Sequence, residues 1–358
     1  MTRLNVVRQR LYNQHIASTT FEKPGDVVKW LGAVQAQDYL GSLWAIGLRM
    51  HNATEQAIEQ ALADRTIIRT WPMRGTLHWV SAADVRWMIE LLTPRVVAGS
   101  TRRLEQQFDL DGAVFARSRK VCVCALQGGQ QLSRNAMYQA LEAAHIPTGG
   151  GRGLQIVWRL AQEGLVCFGA REGKQPTFVL LDEWAPNAKS MERDEALAEL
   201  ARRYFTSHGP ATVQDFVWWS GLAVTDALAG LEMVKLHLAQ EVMGDQTYWF
   251  SSSMPTAQEA SPTAYLLPAY DEYTVAYRDR SAVLDSSYAK RADSGYGIAS
   301  PTMVLNGRVV GTWKRTLKKG SVIITPNPFT RLKKAEERAF AVAARQYGAF
   351  LGLPAVLP

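Results

Sequence analysis

One order of elements recurs three times in this chain and narrows its fold more than any other feature: helices, then a pair of short strands. The first pass runs through Leu4–Ile16 and Pro24–Gln37, both with helical spacing, and then Thr54–Asp64, where Thr54 is placed to cap. Two extended runs follow, Ile67–Met73 and Gly75–Val80, broken around Arg74-Gly75. In the second pass Ser133 caps a helix over Arg134–Ala144, and the glycine-rich turn Thr148–Gly151 leads into a helix over Leu154–Glu163 that Gly164 ends. The strands Leu165–Phe168 and Thr177–Leu181 flank a polar tip, Arg171-Glu172-Gly173-Lys174. The third pass has helices over Asp194–Ser207, Thr212–Trp219 and Val224–Leu231, then a strand pair closing at Thr247–Phe250. Helices followed by a β-pair is the order of a winged helix-turn-helix, so the chain reads as a tandem array of three.

After a Ser/Pro-rich linker over residues 251–262 the pattern changes to strands. Tyr265–Leu267 and Tyr273–Tyr277 flank Asp271-Glu272, and Thr302–Leu305 and Arg308–Trp313 flank Asn306-Gly307. Asn-Gly between two such runs is the strongest short hairpin signal. Ser321–Ile324 adds a strand, and an amphipathic helix over residues 331–351 follows. The expected fold is α+β, with winged-helix units over 1–120, 121–190 and 191–255 and a β-barrel-like domain over 256–358 with its terminal helix.

No apolar run is long enough to span a bilayer and no signal-peptide pattern opens the chain, so a cytoplasmic protein is expected. The three cysteines, Cys122, Cys124 and Cys167, read as reduced buried thiols, with no spacing that completes a metal site. Charge is uneven. Residues 1–120 carry 16 Lys/Arg against 11 Asp/Glu, residues 191–260 carry 4 against 10, and residues 261–358 carry 14 against 7. A polyanion would meet the two basic ends, with the acidic segment facing away. Within them, Arg69, Trp71 and Arg74 combine cations with an aromatic on extended backbone, and Lys314, Arg315, Lys318 and Lys319 form a run. Arginine can fork onto phosphate and tryptophan can stack on a base. Equally, such tryptophans serve as core and such a charge run as a solvated loop. Gly149–Gly153 is a turn and no phosphate loop, since no strand enters it. His78 reads as a packed histidine, and Asp38 and Asp271-Glu272 form no paired-acid signature.

Gln35 and Gln37 stand one residue apart in an apolar stretch between Gly32 and Gly41. Residues i and i+2 are about 200° apart on a helix, so they converge only where the helix ends or the backbone is extended. A neutral amide does not titrate, but it can hold a water through its carbonyl and offer N–H in return. Chemistry built on it must need little proton transfer. Departure of a cationic N-alkylpurine from its sugar qualifies: the leaving base already carries its charge, and carbonyl dipoles can stabilise the oxocarbenium-like sugar.

The segment Leu31–Ala45 around Gln35-Ala36-Gln37-Asp38 resembles the AlkZ/YcaQ family of bacterial winged-helix DNA glycosylases. The resemblance extends through Thr70–His78, Leu267–Tyr273, Arg278-Asp279-Arg280 and Asn306–Trp313. It implies three tandem winged helices and a β-barrel around a concave basic DNA channel. It also implies monofunctional excision of alkylated bases, interstrand crosslinks included. The Gln-x-Gln form makes Gln35 and Gln37 the implied catalytic pair. Residues 292–300 depart from the family's asparagine-glycine-aromatic pattern. The expected protein is therefore a monomeric, nucleoid-associated glycosylase acting on double-stranded DNA without metal or cofactor. Arg69, Trp71, Arg74, Lys314, Arg315 and Lys318 are its candidate DNA contacts. A non-catalytic DNA-binding regulator and a protein-interaction scaffold are the other readings of the same residues.

Overall fold

A computed structural model describes residues 5–253, 262–292 and 300–358. Most of the expected linker and of the divergent segment 292–300 therefore lies outside the described residues. The chain forms two compact units: Met1–Ile58 with Leu197–Pro358, and Glu59–Ala196. The first is discontinuous in sequence, so residues 1–120 contribute to both.

The N-terminal stretch of the discontinuous unit opens with α1 (Val6–Asn13), capped by Asn5, and α2 (Pro24–Leu31). Proline starts α2, where a missing N–H costs nothing, and Val27, Val28 and Leu31 form its buried face. The expected helix through Gln37 is corrected here. Gly32 takes φ +79° and stops α2, and the chain extends into the two-residue strand β1 (Val34–Gln35). After the helix α3 (Tyr39–Gly47) comes α4 (Glu55–Ala63), whose Ala57 N–H donates to Thr54 Oγ1 at 3.1 Å, the expected cap.

In the continuous unit, β2 (Ile67–Met73) pairs antiparallel with β3 (Thr76–Ser81), Thr70 opposite His78. Arg74 (φ +52°) and Gly75 (φ +70°) make the two-residue turn, both left-handed as a tight hairpin with right-handed twist requires. Two long helices that the repeat order does not contain follow: α5 (Val85–Phe108) and α6 (Gly112–Leu126). Pro94 lies inside α5; beside it the Thr93 hydroxyl bonds the carbonyls of Ile89 at 2.9 Å and Gln162 at 2.7 Å. Next come β4 (Leu132–Ser133), α7 (Arg134–Ala143), α8 (Arg152–Gln162), β5 (Val166–Phe168), β6 (Thr177–Leu180) and α9 (Leu181–Trp184). These strands lie in the order β3-β2-β5-β6-β4. The two expected wings thus share one sheet, joined where Arg69 faces Phe168.

The remainder of the discontinuous unit begins with α10 (Arg193–Ser207), α11 (Val213–Ser220) and α12 (Val224–Val234). A reciprocal box of Thr212 and Asp215 caps α11, and Gly221 at φ +73° ends it. The ribbon of β7 (Leu238–Met243) and β8 (Gln246–Ser251) stands as its own two-stranded sheet. Beyond it lie β9 (Ala264–Leu267), α13 (Glu272–Val275), α14 (Ala289–Ala292), β10 (Thr302–Leu305), β11 (Arg308–Lys318), β12 (Ser321–Pro328), α15 (Lys334–Phe350) and β13 (Ala355–Val356). Five of these strands form an open half-barrel sheet, β13-β12-β11-β10-β9. The expected strand Tyr273–Tyr277 is instead the short helix α13. Asp271 starts it, its side chain accepting the Tyr273 N–H at 2.9 Å, a capping bond that favours a helical turn.

Two aromatic clusters hold this unit. Tyr204 stacks on His208 with centroids 4.9 Å apart and packs against Phe216 at 5.1 Å and Trp219 at 5.0 Å. Trp44 and Trp313 each meet Tyr347 edge-on at 5.1 Å, so α15 joins α3 to the half-barrel. Their indole N–H groups donate to Leu266 and Leu267 carbonyls, which keeps the polar edge of each ring satisfied in the core.

Candidate active site

Gln35 and Gln37 sit on the connection between Gly32 and α3, where neither is helical. Gln35 is 8 % exposed and Gln37 is exposed. The Gln35 N–H donates to Glu272 Oε1 at 2.8 Å, and the Gln37 N–H donates to Gln35 Oε1 at 2.9 Å. The second bond fixes which end of the Gln35 amide is oxygen, since an N–H needs an acceptor. One lone pair of that carbonyl is thereby committed to main chain. Gly41 does not end a helix. It lies inside α3, where a Cβ would come within 2.5 Å of Asp38 Oδ2, so glycine leaves room for the Asp38 carboxylate to fold over the first turn. Asp38 and Arg315 line one small cleft with Gly41, Pro268, Trp313 and Tyr347.

A buried polar network lies behind the couple. Glu272 Oε2 accepts the Trp219 Nε1–H at 2.9 Å, and His208 Nε2 lies 3.5 Å from the same oxygen. Next to it, Asp271 takes Arg49 in a two-pronged pair, 2.9 Å and 2.8 Å, with both side chains fully buried. Arg49 also donates to Gln14 Oε1 at 3.0 Å, Gln14 Nε2 to the Tyr277 hydroxyl at 2.9 Å, and that hydroxyl to the His208 carbonyl at 2.8 Å. Burial lowers the His208 pKa; the nearby Glu272 carboxylate opposes the shift, and the Arg49 and Arg10 charges reinforce it. Burying charges this deep is costly, and the bonds that offset the cost rigidify what they hold, although Arg49 Nε and His208 Nε2 make no hydrogen bond among the described residues.

The candidate DNA contacts divide by exposure. Trp71 is 6 % exposed and packs on Phe168 at 5.1 Å; Arg69 is 8 % exposed, its guanidinium 4.8 Å from the same ring. The base-stacking expected of Trp71 and the phosphate contact expected of Arg69 are corrected to core packing, because both strand faces are buried there. Arg74, half-buried at the hairpin tip, donates to His78 Nε2 at 3.3 Å. The other ring nitrogen of His78, Nδ1, meets the Thr76 carbonyl at 2.9 Å, so it donates there. Lys314 and Lys318 are exposed on β11, on one face of a strand by the alternation of side chains. The expected loop is thus the rigid end of a ribbon whose Lys318 pairs with Ser321. Arg315 points to the other face and donates to the Tyr347 hydroxyl. Among the described residues no group of His, Cys, Asp or Glu is arranged to hold a metal ion.

Comparison with known proteins closes the assignment. The family described as DNA glycosylase AlkZ-like matches residues 28–350. The chain belongs to the AlkZ-like DNA glycosylases. A relative in Streptomyces sahachiroi, an interstrand DNA cross-link repair glycosylase, is 27 % identical over 375 residues, covering 95 % of each protein. The solved structure of Streptomyces sahachiroi DNA glycosylase AlkZ superposes with a TM-score of 0.82 at 21 % identity, over 99 % of this chain and 98 % of that one, and so shares its fold. The protein is a DNA glycosylase, an enzyme of DNA repair with a mixed α+β architecture. No helix among the described residues is long and apolar enough to cross a membrane.

Sequence reasoning missed Trp219 and Arg49 as parts of the network behind the glutamine couple and read Asp271-Glu272 as a turn with no paired-acid signature. A buried arginine and adjacent acids are a signal in retrospect, but sequence alone does not show that Glu272 returns to Gln35.

Proposed function

We propose that this glycosylase hydrolyses the N-glycosidic bond of cationic N7- or N3-alkylpurines in double-stranded DNA, with Gln35 and Gln37 as the catalytic pair. The observation that carries this is the setting of the couple: two neutral amides on non-helical backbone, one clamped by a buried carboxylate and the other exposed. The C1′–N bond breaks with its electron pair moving to the purine, which neutralises the ring charge, so no acid is needed. A water whose lone pair faces the sugar closes the C1′–O bond and gives its proton to solvent. The glutamine carbonyl dipoles orient that water and stabilise the oxocarbenium-like sugar. The name of the Streptomyces sahachiroi relative supports extending the substrates to interstrand crosslinks. Three tandem winged helices around a basic channel, acting as a monomer at the nucleoid, complete the reading, with Lys314, Lys318 and Arg74 as its DNA contacts.

The test is release of 7-methylguanine from methylated duplex under single turnover. Gln37→Ala is expected to abolish release while leaving DNA affinity within a few-fold. Unchanged rates in both Gln35→Ala and Gln37→Ala would remove the pair from the mechanism.

A further inference from the structure

We propose that Glu272 is a positioning residue for excision. It sets the glutamine couple in place, and Trp219 on α11 holds it there. This rests on the reading of Gln35 and Gln37 as the catalytic pair.

Three observations carry it. Glu272 is 1 % exposed, and its two oxygens are divided between tasks: Oε1 takes the Gln35 N–H at 2.8 Å and Oε2 takes the Trp219 indole N–H at 2.9 Å. The Gln35 carbonyl then takes the Gln37 N–H at 2.9 Å, so a single carboxylate begins a chain of bonds that fixes both glutamines. Trp219 also underlies the turn before the couple, because a Cβ on Gly32 would lie 3.4 Å from its ring. The indole therefore braces the couple twice, through Glu272 and beneath the helix stop.

A carboxylate suits the position better than an amide. Both donors point N–H groups at it, and an ionised carboxylate offers only acceptors. A glutamine there would accept one N–H and set its own NH2 against the other. Asp271 fixes the backbone from which Glu272 reaches, since it starts α13 and is locked by Arg49. The third helical segment, α10–α12, thereby acquires a role distinct from gripping DNA: it buttresses the catalytic strand. Its net negative charge agrees with that, residues 191–260 carrying 4 Lys/Arg against 10 Asp/Glu.

A double-mutant cycle tests the proposal, reading single-turnover excision from methylated duplex alongside duplex affinity and melting temperature. Glu272→Gln is expected to slow excision at least about tenfold, with affinity within about threefold of the parent. In the Gln35→Ala background the same change is expected to cost clearly less than it does alone, because the alanine keeps the backbone N–H that Glu272 accepts but lacks the side chain it positions. Trp219→Phe, which removes one donor and keeps a ring, repeats the cycle should Glu272→Gln fail to fold. An unchanged rate, a loss that multiplies with that of Gln35→Ala, or a loss that tracks affinity and melting temperature overturns the proposal. A normal rate in Gln35→Ala and Gln37→Ala strikes instead at the catalytic reading, whatever Glu272→Gln does.

Discussion

Gln35 and Gln37 carry the same amide and hold different posts. The first is bonded through its backbone N–H and its side-chain carbonyl, and the second stands exposed. Behind them His208 gives a pH prediction. Its folded-state pKa lies below the ordinary value of 6.5, chiefly through burial. Above that value neither the folded nor the unfolded chain protonates it, and it contributes no pH dependence. As pH falls through 6.5 the unfolded chain takes up a proton that the folded chain refuses, so stability drops until the folded pKa is reached. The melting temperature is therefore expected to fall between pH 7.5 and 5.5, and His208→Gln to flatten that fall whatever its effect at pH 7.5. An unchanged slope in the variant would locate the acid sensitivity elsewhere, His15 being the next group lowered by burial. The sequence makes the couple itself legible, because two amides in an apolar run demand an explanation. Trp71 shows the limit: its neighbours suit a DNA surface and a core equally, and only the position of Phe168 decides.

Elements built on local rules were readable in advance; those that depend on distant partners were not. Thr54, Ser133 and Thr212 cap as their spacing implies, since a cap needs only the next few residues. Asn306 at φ +48° and Gly307 at φ +82° form the hairpin that Asn-Gly specifies. The Gly307 position is demanding on two counts. Its backbone is left-handed, and a Cβ would come within 2.2 Å of Val7 Cγ1 and 3.1 Å of the Tyr273 hydroxyl. Gly307→Ala is expected to destabilise the fold by about 2 kcal/mol or more in denaturant unfolding. Adding Val7→Ala should recover part of that loss, leaving the backbone strain. Helix α5 escaped the sequence reading because Pro94 interrupts its pattern while Thr93 supplies a tertiary bond. The segment Tyr273–Tyr277 reads as a strand by its β-branched and aromatic residues, yet Asp271, fixed by Arg49, turns it into a helix.

For the whole molecule, charge is the property DNA meets first. The chain carries +7, with the excess at its two ends. Binding to undamaged duplexes of unrelated sequence is expected to agree within a few-fold and to weaken linearly in log–log plots against salt. Lys314→Ala and Lys318→Ala should each reduce that salt slope by about 1 without changing sequence preference. Titrations at several salt concentrations check this, and an unaltered slope in the double variant would move the phosphate contacts off the ribbon.

The unit holding the glutamines is assembled from both ends of the chain, and the bond that secures Gln35 reaches across 237 positions. During synthesis the two glutamines leave the ribosome early, but the acid that seats them emerges only after three-quarters of the polypeptide. A prematurely terminated product can carry both glutamines and still lack the carboxylate that seats them.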